Sequence, residues 1–454
     1  MAEYYIAPKS SFDATADAIR EKTGSQATIE WTEDGFADAV AAIPTGNDRE
    51  DLTVPKDVDF IDFDGRLLYS YTAQEFLALT ALPANPSYPG LTAQGWNWTL
   101  SDAKEYVGQW GALVVGQNYI TNDGKTRAYL HVNQLQVDNA FPIDVYLQVV
   151  NSGSGTIYWG DGDTSAITSG TGYKRLSHTY ASAGDYKIEI EITSGTFSAG
   201  YHGSWQNFIG GSASGNNTYG RLNGSVYKIE IGSGFTGFGR QPFSWNVNLE
   251  SVSIPTNITG FNDTGGPDGG CLGTMAMKGI VFPAGFQGKN NNMFGNGGTG
   301  SNLRYISVPK SATIFGIKET TTDLLLRKLT LPPQESAKPN IKLGYVRDLT
   351  HFVMPGTYNT LIDGTCEGSL IKKFTIPATV TTLQTDCLIY NYFLEELHIL
   401  PTTVPTMNNT RALNGLSSNA VIYVPYSEDH SILEAYQTAT NWSTFASYMQ
   451  EEPQ

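Results

Sequence analysis

Apolar and polar residues alternate through Tyr186, Ile188, Ile190 and Ile192, and a period of two over so short a run predicts a half-buried antiparallel strand. Similar short alternations return before a series of prolines, in "LESVSIP", "MKGIVFP", "LRYISVP", "LRKLTLP", "LTHFVMP", "LIKKFTIP", "LEELHILP" and "NAVIYVP". The prolines are Pro255, Pro283, Pro309, Pro332, Pro355, Pro377, Pro401 and Pro425, spaced 22 to 28 residues apart. A recurrence of that length predicts a solenoid. Each unit has one strand, and apolar pairs such as Val252 and Ile254, or Ile306 and Val308, cannot be hidden within it. Stacked on the next coil they are buried, at about 1.5–3 kcal/mol per large side chain. Proline lacks an N–H and closes the ladder at the strand end. "VYKIEIGSG" (226–234) reads as a degenerate first coil, and the glycine-rich "FNDTGGPDGGCLGTMA" and "GKNNNMFGNGGTG" read as surface loops. Solenoid ends need covering, and "SILEAYQTATNWSTFASYM" fits a helical cap with Ile432, Leu433, Tyr436 and Trp442 on its apolar side.

Upstream the pattern changes three times. Residues 1–48 carry two short amphipathic stripes, Phe12, Ala16 and Ile19, then Phe36, Val40 and Ile43, each followed by a glycine or proline stop. Two such helices are not stable alone and need a surface to pack on, so they read as an attachment module. From residue 55 to 139 the signals are mixed. Asp64-Gly65 between strand formers predicts a hairpin with a type I′ turn. Thr72 and Glu75 form a capping box that starts a helix over "AQEFLAL". A second short helix is expected near 101–108, with strands near 111–120 and 126–137. From 140 to 195, "IDVYLQVV", "GTIYWGDG", "YKRLSHTY" and "GDYKIEIEIT" are four strands joined by glycine and serine turns, the plan of a small β-sandwich.

Composition narrows the function classes. Glycine is frequent at 48 residues, aromatic residues make up 12% and charged residues only 16%, a mixture that favours short strands and turns over helical bundles. The net charge of −16 provides no basic face for nucleic acid, and anionic lipid is disfavoured for the same reason. Cys271, Cys366 and Cys387 are far apart and form no CxxC, so neither a disulfide framework nor a zinc site is indicated and they read as small buried hydrophobes. The first residues, "MAEYYIAPKSSFDATADAIREK", lack a cationic start followed by an apolar run, and no apolar stretch is long enough to span a bilayer. The chain is therefore expected to be made and left in the cytoplasm. The six histidines form no HExxH and no obvious triad order, and His398 reads as ordinary strand packing.

Two parts resemble known families. "WGDGDTS" followed by "SHTYASAGDYKIEIEI" is similar to the PKD-type immunoglobulin-like domain, over Trp159 to Asp163 and His178 to Ile192. The resemblance implies that Trp159 is a core residue, that Gly160 and Gly162 permit a tight turn, that Asp161 bonds backbone amides there, and that His178 and Tyr180 pack at the same corner. An EF-hand-like calcium loop at Asp161 and Asp163 would need further oxygens at fixed steps, and they are missing. Residues 245–450 resemble BspA-like leucine-rich repeats of bacterial and phage surface proteins, most closely in "IYVPYSEDHSILEAYQTATNWSTFASYM". "ADAIREKTGS...FADAVAAI" resembles a segment of phage tail proteins of Gram-positive hosts, and "DFDGRLLYSYT...LTAQGWNWTLSDAK" a block that accompanies such repeats in phage and prophage proteins.

Together these imply a mainly β, multidomain chain: N-terminal helical attachment module (1–48), α+β adaptor (55–139), PKD-like β-sandwich (140–195), and leucine-rich-repeat solenoid with a helical cap (196–454). The function they imply is that of a non-enzymatic phage virion protein of a tail tip or tail fibre, made in the host cytoplasm and released by lysis. It would mount on other virion proteins through its N-terminal part and bind a host-surface glycan or protein. Cofactors and metals are not expected, nor are nucleic-acid or membrane partners; a homo-oligomer, trimeric by analogy, is. A head decoration protein is one alternative. A glycan-cleaving depolymerase is another, since solenoids can carry the paired carboxylates of glycosidic hydrolysis. Aromatic rings among Gly, Ser and Asn suit sugar stacking, which makes Tyr201, Trp205, Phe208, Tyr219, Phe243 and Trp245 the receptor-contact candidates. The competing role for those rings is to cover the open first coil.

Overall fold

The computed structural model describes residues 56–453 except 201–206, 211–224, 240–241, 244–245, 262–275, 293–301, 313, 320–324, 334–340, 345 and 357. The two helices expected within residues 1–48 and much of both glycine-rich stretches lie outside the described residues, as does Cys271. The protein is mainly β, with few helices and a C-terminal β-solenoid of about seven turns. Among the described residues no helix is long and apolar enough to cross a membrane.

The proline-ended segments stack as the spacing requires. Ser251–Ser253 pairs in parallel with Val226–Glu230, the degenerate first coil. Gly279–Val281, Tyr305–Ser307, Lys328–Thr330 and His351–Val353 then form one four-stranded parallel sheet. Lys373–Ile376, Glu396–Ile399, Val421–Val424 and Met449–Glu451 form a second. Ile280, Ile306, Leu329 and Phe352 share one inward column, and Phe374, Leu397, Ile422 and Met449 share another. All are buried. Four coils then turn at their proline: the carbonyls of Pro255, Pro283, Pro309 and Pro377 accept the N–H of Ile258, Phe286, Ala312 and Val380, three residues on, and those four side chains enter the core. After the turn, short second strands such as Thr360–Leu361, Thr382–Leu383 and Thr406–Met407 stack in parallel on another side.

Residues 56–121 make a four-stranded sheet with two helices. Val58–Ile61 is parallel to Leu113–Thr121 and antiparallel to Leu67–Tyr71, while Leu91–Trp96 is antiparallel to Leu113–Thr121. The Thr72/Glu75 capping box starts the helix Ala73–Ala78, and Thr99 caps Leu100–Trp110, which Gly111 ends in the left-handed region. The hairpin at Asp64-Gly65 forms with a different turn from the expected one. The Gly65 N–H donates to Asp62 O, and Gly65 alone has positive φ, 80°. The geometry is that of a type I turn closed by a glycine bulge. Space explains the glycine: a Cβ on it would lie 2.3 Å from the Gly279 nitrogen of the solenoid.

Of the four strands expected between 140 and 195, the first two are one continuous strand, Ile143–Tyr158, and the last two occur as Tyr173–His178 and Gly184–Ala199; Thr164–Ile167 is a further strand between them, not among those expected. They belong to one nine-stranded sheet that runs on past positions 140 and 196. Two 16-residue strands organise it. Gly184–Ala199 pairs with Ile143–Tyr158 on one side and with Thr126–Val132 on the other. Thr126–Val132 pairs in turn with Val226–Glu230, so one sheet leads directly into the first coil. Ile188 and Ile190 of the alternating run are buried, and a continuous core extends from Ala128 to Met449. Lys56–Gln454 is accordingly one compact unit.

The α/β layer sits on the outward face of the first solenoid sheet, for a reason rooted in the prolines. In a parallel ladder the last carbonyl of a strand accepts from the residue just past its partner in the next coil. Leu400 N–H does this for Ile376 O at 3.0 Å, and Glu452 N–H for Val424 O at 2.8 Å. For Phe282, Val308 and Leu331 that residue is Pro309, Pro332 or Pro355, which has no N–H. The α/β layer supplies the missing donors. Asn97 Nδ2 reaches Phe282 O at 2.8 Å, Trp98 Nε1 reaches Val308 O at 2.9 Å and the Tyr106 hydroxyl reaches Leu331 O at 2.5 Å. Asn118 Nδ2 also donates to Ile254 O at 3.0 Å. Asp59 and Lys328, both buried, close the interface with a 2.8 Å ion pair. Lys328 Nζ also donates to the carbonyls of Lys56 and Asp57.

Candidate functional site

The Trp159 corner forms because glycine can turn where other residues cannot. Gly160 and Gly162 have φ of 90° and 106°, and a Cβ on Gly160 would press to 2.7 Å from Lys187 O. Asp161 Oδ1 accepts the Asp163 N–H at 3.1 Å, and Asp161 Oδ2 lies 2.6 Å from His178 Nε2. Trp159 is fully buried, its indole N–H donates to Ser165 Oγ at 2.9 Å, and the Tyr180 hydroxyl donates to Trp159 O at 2.7 Å. The His178 ring stacks on Trp159 at 5.0 Å and meets Tyr180 edge-on at 4.7 Å. Burial opposes the charge of Asp161, but the His178 contact and the Asp163 amide outweigh it and lower the carboxyl's pKa. Every polar atom named at this corner is thus used to hold the turn. Asp161, Asp163 and His178 each present a ligand atom, all within 4.8 Å of one another. That set offers a hard cation such as calcium two carboxylates and one imidazole, too few oxygens for its usual six to eight.

The six receptor-contact candidates divide. Tyr201, Trp205, Tyr219 and Trp245 lie outside the described residues. Phe208 and Phe243 are fully buried, so neither offers a ring to a receptor. Phe208 packs edge-on against Phe235 at 5.2 Å, and Phe243 against Phe238 at 5.3 Å, where the nine-stranded sheet meets the first coils. Of the competing roles considered for these rings, packing is the one these two fulfil.

A different surface is open. The outward residues of the second solenoid sheet include Lys373, Thr375, Glu396, His398 and Tyr423, all partly or fully exposed. Lys372 pairs with Glu395 at 2.9 Å and Lys373 with Glu396 at 3.2 Å. His398 bridges Glu396 at 3.1 Å and Glu452 at 2.5 Å and stacks on Tyr423 at 4.8 Å. The His398 contact is the main reason that the Glu396 carboxyl's pKa is lowered. A cleft of about 170 Å³, lined by Asp57, Trp110, His351, Lys373 and Thr375 among others, marks where the α/β layer stops and this free face starts. One coil edge nearby carries Tyr390, Tyr392 and Phe393, the last two more than half exposed. Sequence reasoning passed over them, although "YNYF" interrupting the repeat just before "LEELHILP" was a readable signal. Cys366 and Cys387 are buried and unpaired, and burial pushes the Cys366 thiol up to about 12.

No family model matches the chain, and no curated protein matches it either.

Proposed function

We propose that the chain is a non-enzymatic structural protein of a phage virion, part of a tail tip or tail fibre, whose solenoid attaches the particle to a host surface. In this reading residues 1–48 mount it on other virion proteins. The Trp159 corner belongs to a PKD-like immunoglobulin-type element, and the coils are BspA-like leucine-rich repeats. Ser431–Thr438 and Trp442–Tyr448 form the helical cap. The observation that carries the proposal is the asymmetry of the solenoid. Its first sheet is sealed under the α/β layer, while its second sheet presents an ordered outward face to solvent. A stiff stack with one anchored and one free stretch suits presentation at a surface. Carboxylates on the free face are engaged in ion pairs, which supports attachment over glycosidic hydrolysis.

The test uses the labelled full chain, because cutting at residue 196 would strip Val226–Glu230 of its partner Thr126–Val132. Saturable binding to at least one strain in a broad bacterial panel, with no release of reducing ends from its cell-wall polysaccharide, is the expected result. Binding to no strain would remove the attachment reading, and release of reducing ends would replace it with the depolymerase.

A further inference from the structure

Three successive coils place Gly368, Tyr390 and Gly415 at equivalent positions. The Gly368 N–H donates to Ile389 O at 3.1 Å, and the Tyr390 N–H to Asn414 O at 2.8 Å. In parallel pairing this aligns Gly368 with Tyr390 and Tyr390 with Gly415. All three have left-handed backbones, with φ of 61°, 63° and 89°. Glycine adopts that conformation freely, whereas a bulky residue does so under strain. Tyrosine thus stands where the coils on both sides use glycine. Its neighbour holds it there. Asn391 is fully buried. Its Oδ1 accepts Ser369 N–H at 3.0 Å and Ser369 Oγ–H at 2.7 Å, and its Nδ2 donates to Cys366 O and Leu388 O at 3.0 and 2.9 Å.

The strained backbone displays rings. Tyr390 and Tyr392 lie nearly parallel, 6.0 Å between centroids and 23° between planes. Tyr392 and Phe393, 59% and 55% exposed, are the most exposed large hydrophobic residues among those described. Gly415 makes room for the shelf, since a Cβ there would stand 3.1 Å from Tyr392 Cε1 and 3.0 Å from Tyr390 Cα. Strain maintained at a half-exposed position that carries two exposed rings just after it points to a role outside folding.

We propose that Tyr390, Tyr392 and Phe393 form a carbohydrate-binding platform on which the pyranose rings of an uncharged glycan stack; this rests on the attachment reading above. The two near-parallel tyrosine rings offer a shelf that matches the C–H face of a sugar, and their hydroxyls, with exposed Asn414 one coil on, can bond sugar hydroxyls. Rigid aromatic surface of this kind costs little entropy on binding. The net charge of −16 disfavours acidic glycans and anionic lipid.

The test applies the full chain to an array of neutral and acidic oligosaccharides and to whole cells of any strain it binds. The wild type is expected to bind neutral glycans. Tyr392→Ala/Phe393→Ala should bind about tenfold more weakly, as expected for lost stacking, with unchanged Tm. Tyr390→Gly should also weaken glycan binding, yet raise Tm, because glycine relieves the left-handed strain. A packing role predicts the opposite, and a lower Tm for Tyr390→Gly would overturn the proposal. So would undiminished glycan and cell binding by the variants, which would leave the attachment reading standing. Wild-type binding to acidic glycans alone, or to a surface protein alone, would overturn the platform in the same way. Binding to neither cells nor glycans would remove both readings.

Discussion

The two parallel sheets of the solenoid are built from the same repeat, yet their outward faces have opposite fates. In the first sheet Gly279, Tyr305, Lys328 and His351 occupy one outward column, and Val281, Ser307, Thr330 and Val353 the other. All but partly exposed His351 are buried beneath the α/β layer. In the second sheet the corresponding columns hold Lys373, Glu396 and Val421, then Thr375, His398 and Tyr423, and all of these reach solvent. Inward columns are interchangeable aliphatic and aromatic residues in both. The repeat therefore sets how the coils stack, while the outward residues set what each stretch meets. On the covered side those residues match one particular neighbour; on the free side they remain available to a partner.

The largest expected effect tests the seal. Lys328→Ala leaves Asp59 buried without its cation and should cost about 3–5 kcal/mol in chemical denaturation. Lys373→Ala, its exposed counterpart, should cost less than about 1 kcal/mol. Equal effects would erase the distinction between the sheets. Next comes the donor set that compensates for the prolines. Trp98→Phe leaves Val308 O without the indole N–H and should cost about 1–3 kcal/mol. A neutral result would show that water or a backbone shift replaces the bond.

A smaller effect is expected from pH. Asp57, at the border of the covered sheet, has its pKa lowered chiefly by the His351 hydrogen bond, against the opposing effect of burial. Glu396 on the free face is lowered chiefly by His398. A carboxyl with a depressed folded value contributes stability that is complete above its unfolded value, about 4. That contribution is lost as pH falls through the lower folded value. Thermal unfolding from pH 7 to 3 should thus show falling stability below about pH 4. Asp57→Asn and Glu396→Gln should each flatten the fall by less than about 1 kcal/mol, because both groups are partly solvated. A steeper acid loss in either variant would reverse the assigned sign. Smallest of all, Tyr392→Ala should change stability by less than about 0.5 kcal/mol; a larger loss would place its ring in the packing rather than on the surface.

Local and periodic features were legible. Thr72 and Glu75 announced their helix because a capping box satisfies two amides within four residues. Trp159, Gly160, Asp161 and Gly162 announced a corner because positive φ there leaves little choice but glycine. The proline period announced the coils because each strand can bury its apolar side only on a copy of itself. The surface candidates were less legible. Phe208 and Phe243 sit among glycine, serine and asparagine, a composition that suggests exposure, but rings from distant strands enclose them. Tyr390 carried its signal in φ, which shows only when its coil is aligned with Gly368 and Gly415.

What the sequence alone determined, then, is the solenoid and where the chain turns, though not the type of turn at Asp64-Gly65, since those places depend on contacts within a few residues or on contacts repeated identically along the chain. Only the tertiary structure decided which coils are sealed. Ser307, Thr330 and Lys328 read as solvent-facing in any pattern of apolar and polar positions. They are buried because the α/β layer brings polar partners that the strand pattern does not encode: Ser307 Oγ donates to Val114 O, Thr330 Oγ1 accepts Val114 N–H, and Lys328 meets Asp59. Hydrophobicity marks what must be buried, but a polar group can be buried or exposed, and its partner, often some two hundred residues away, makes the difference.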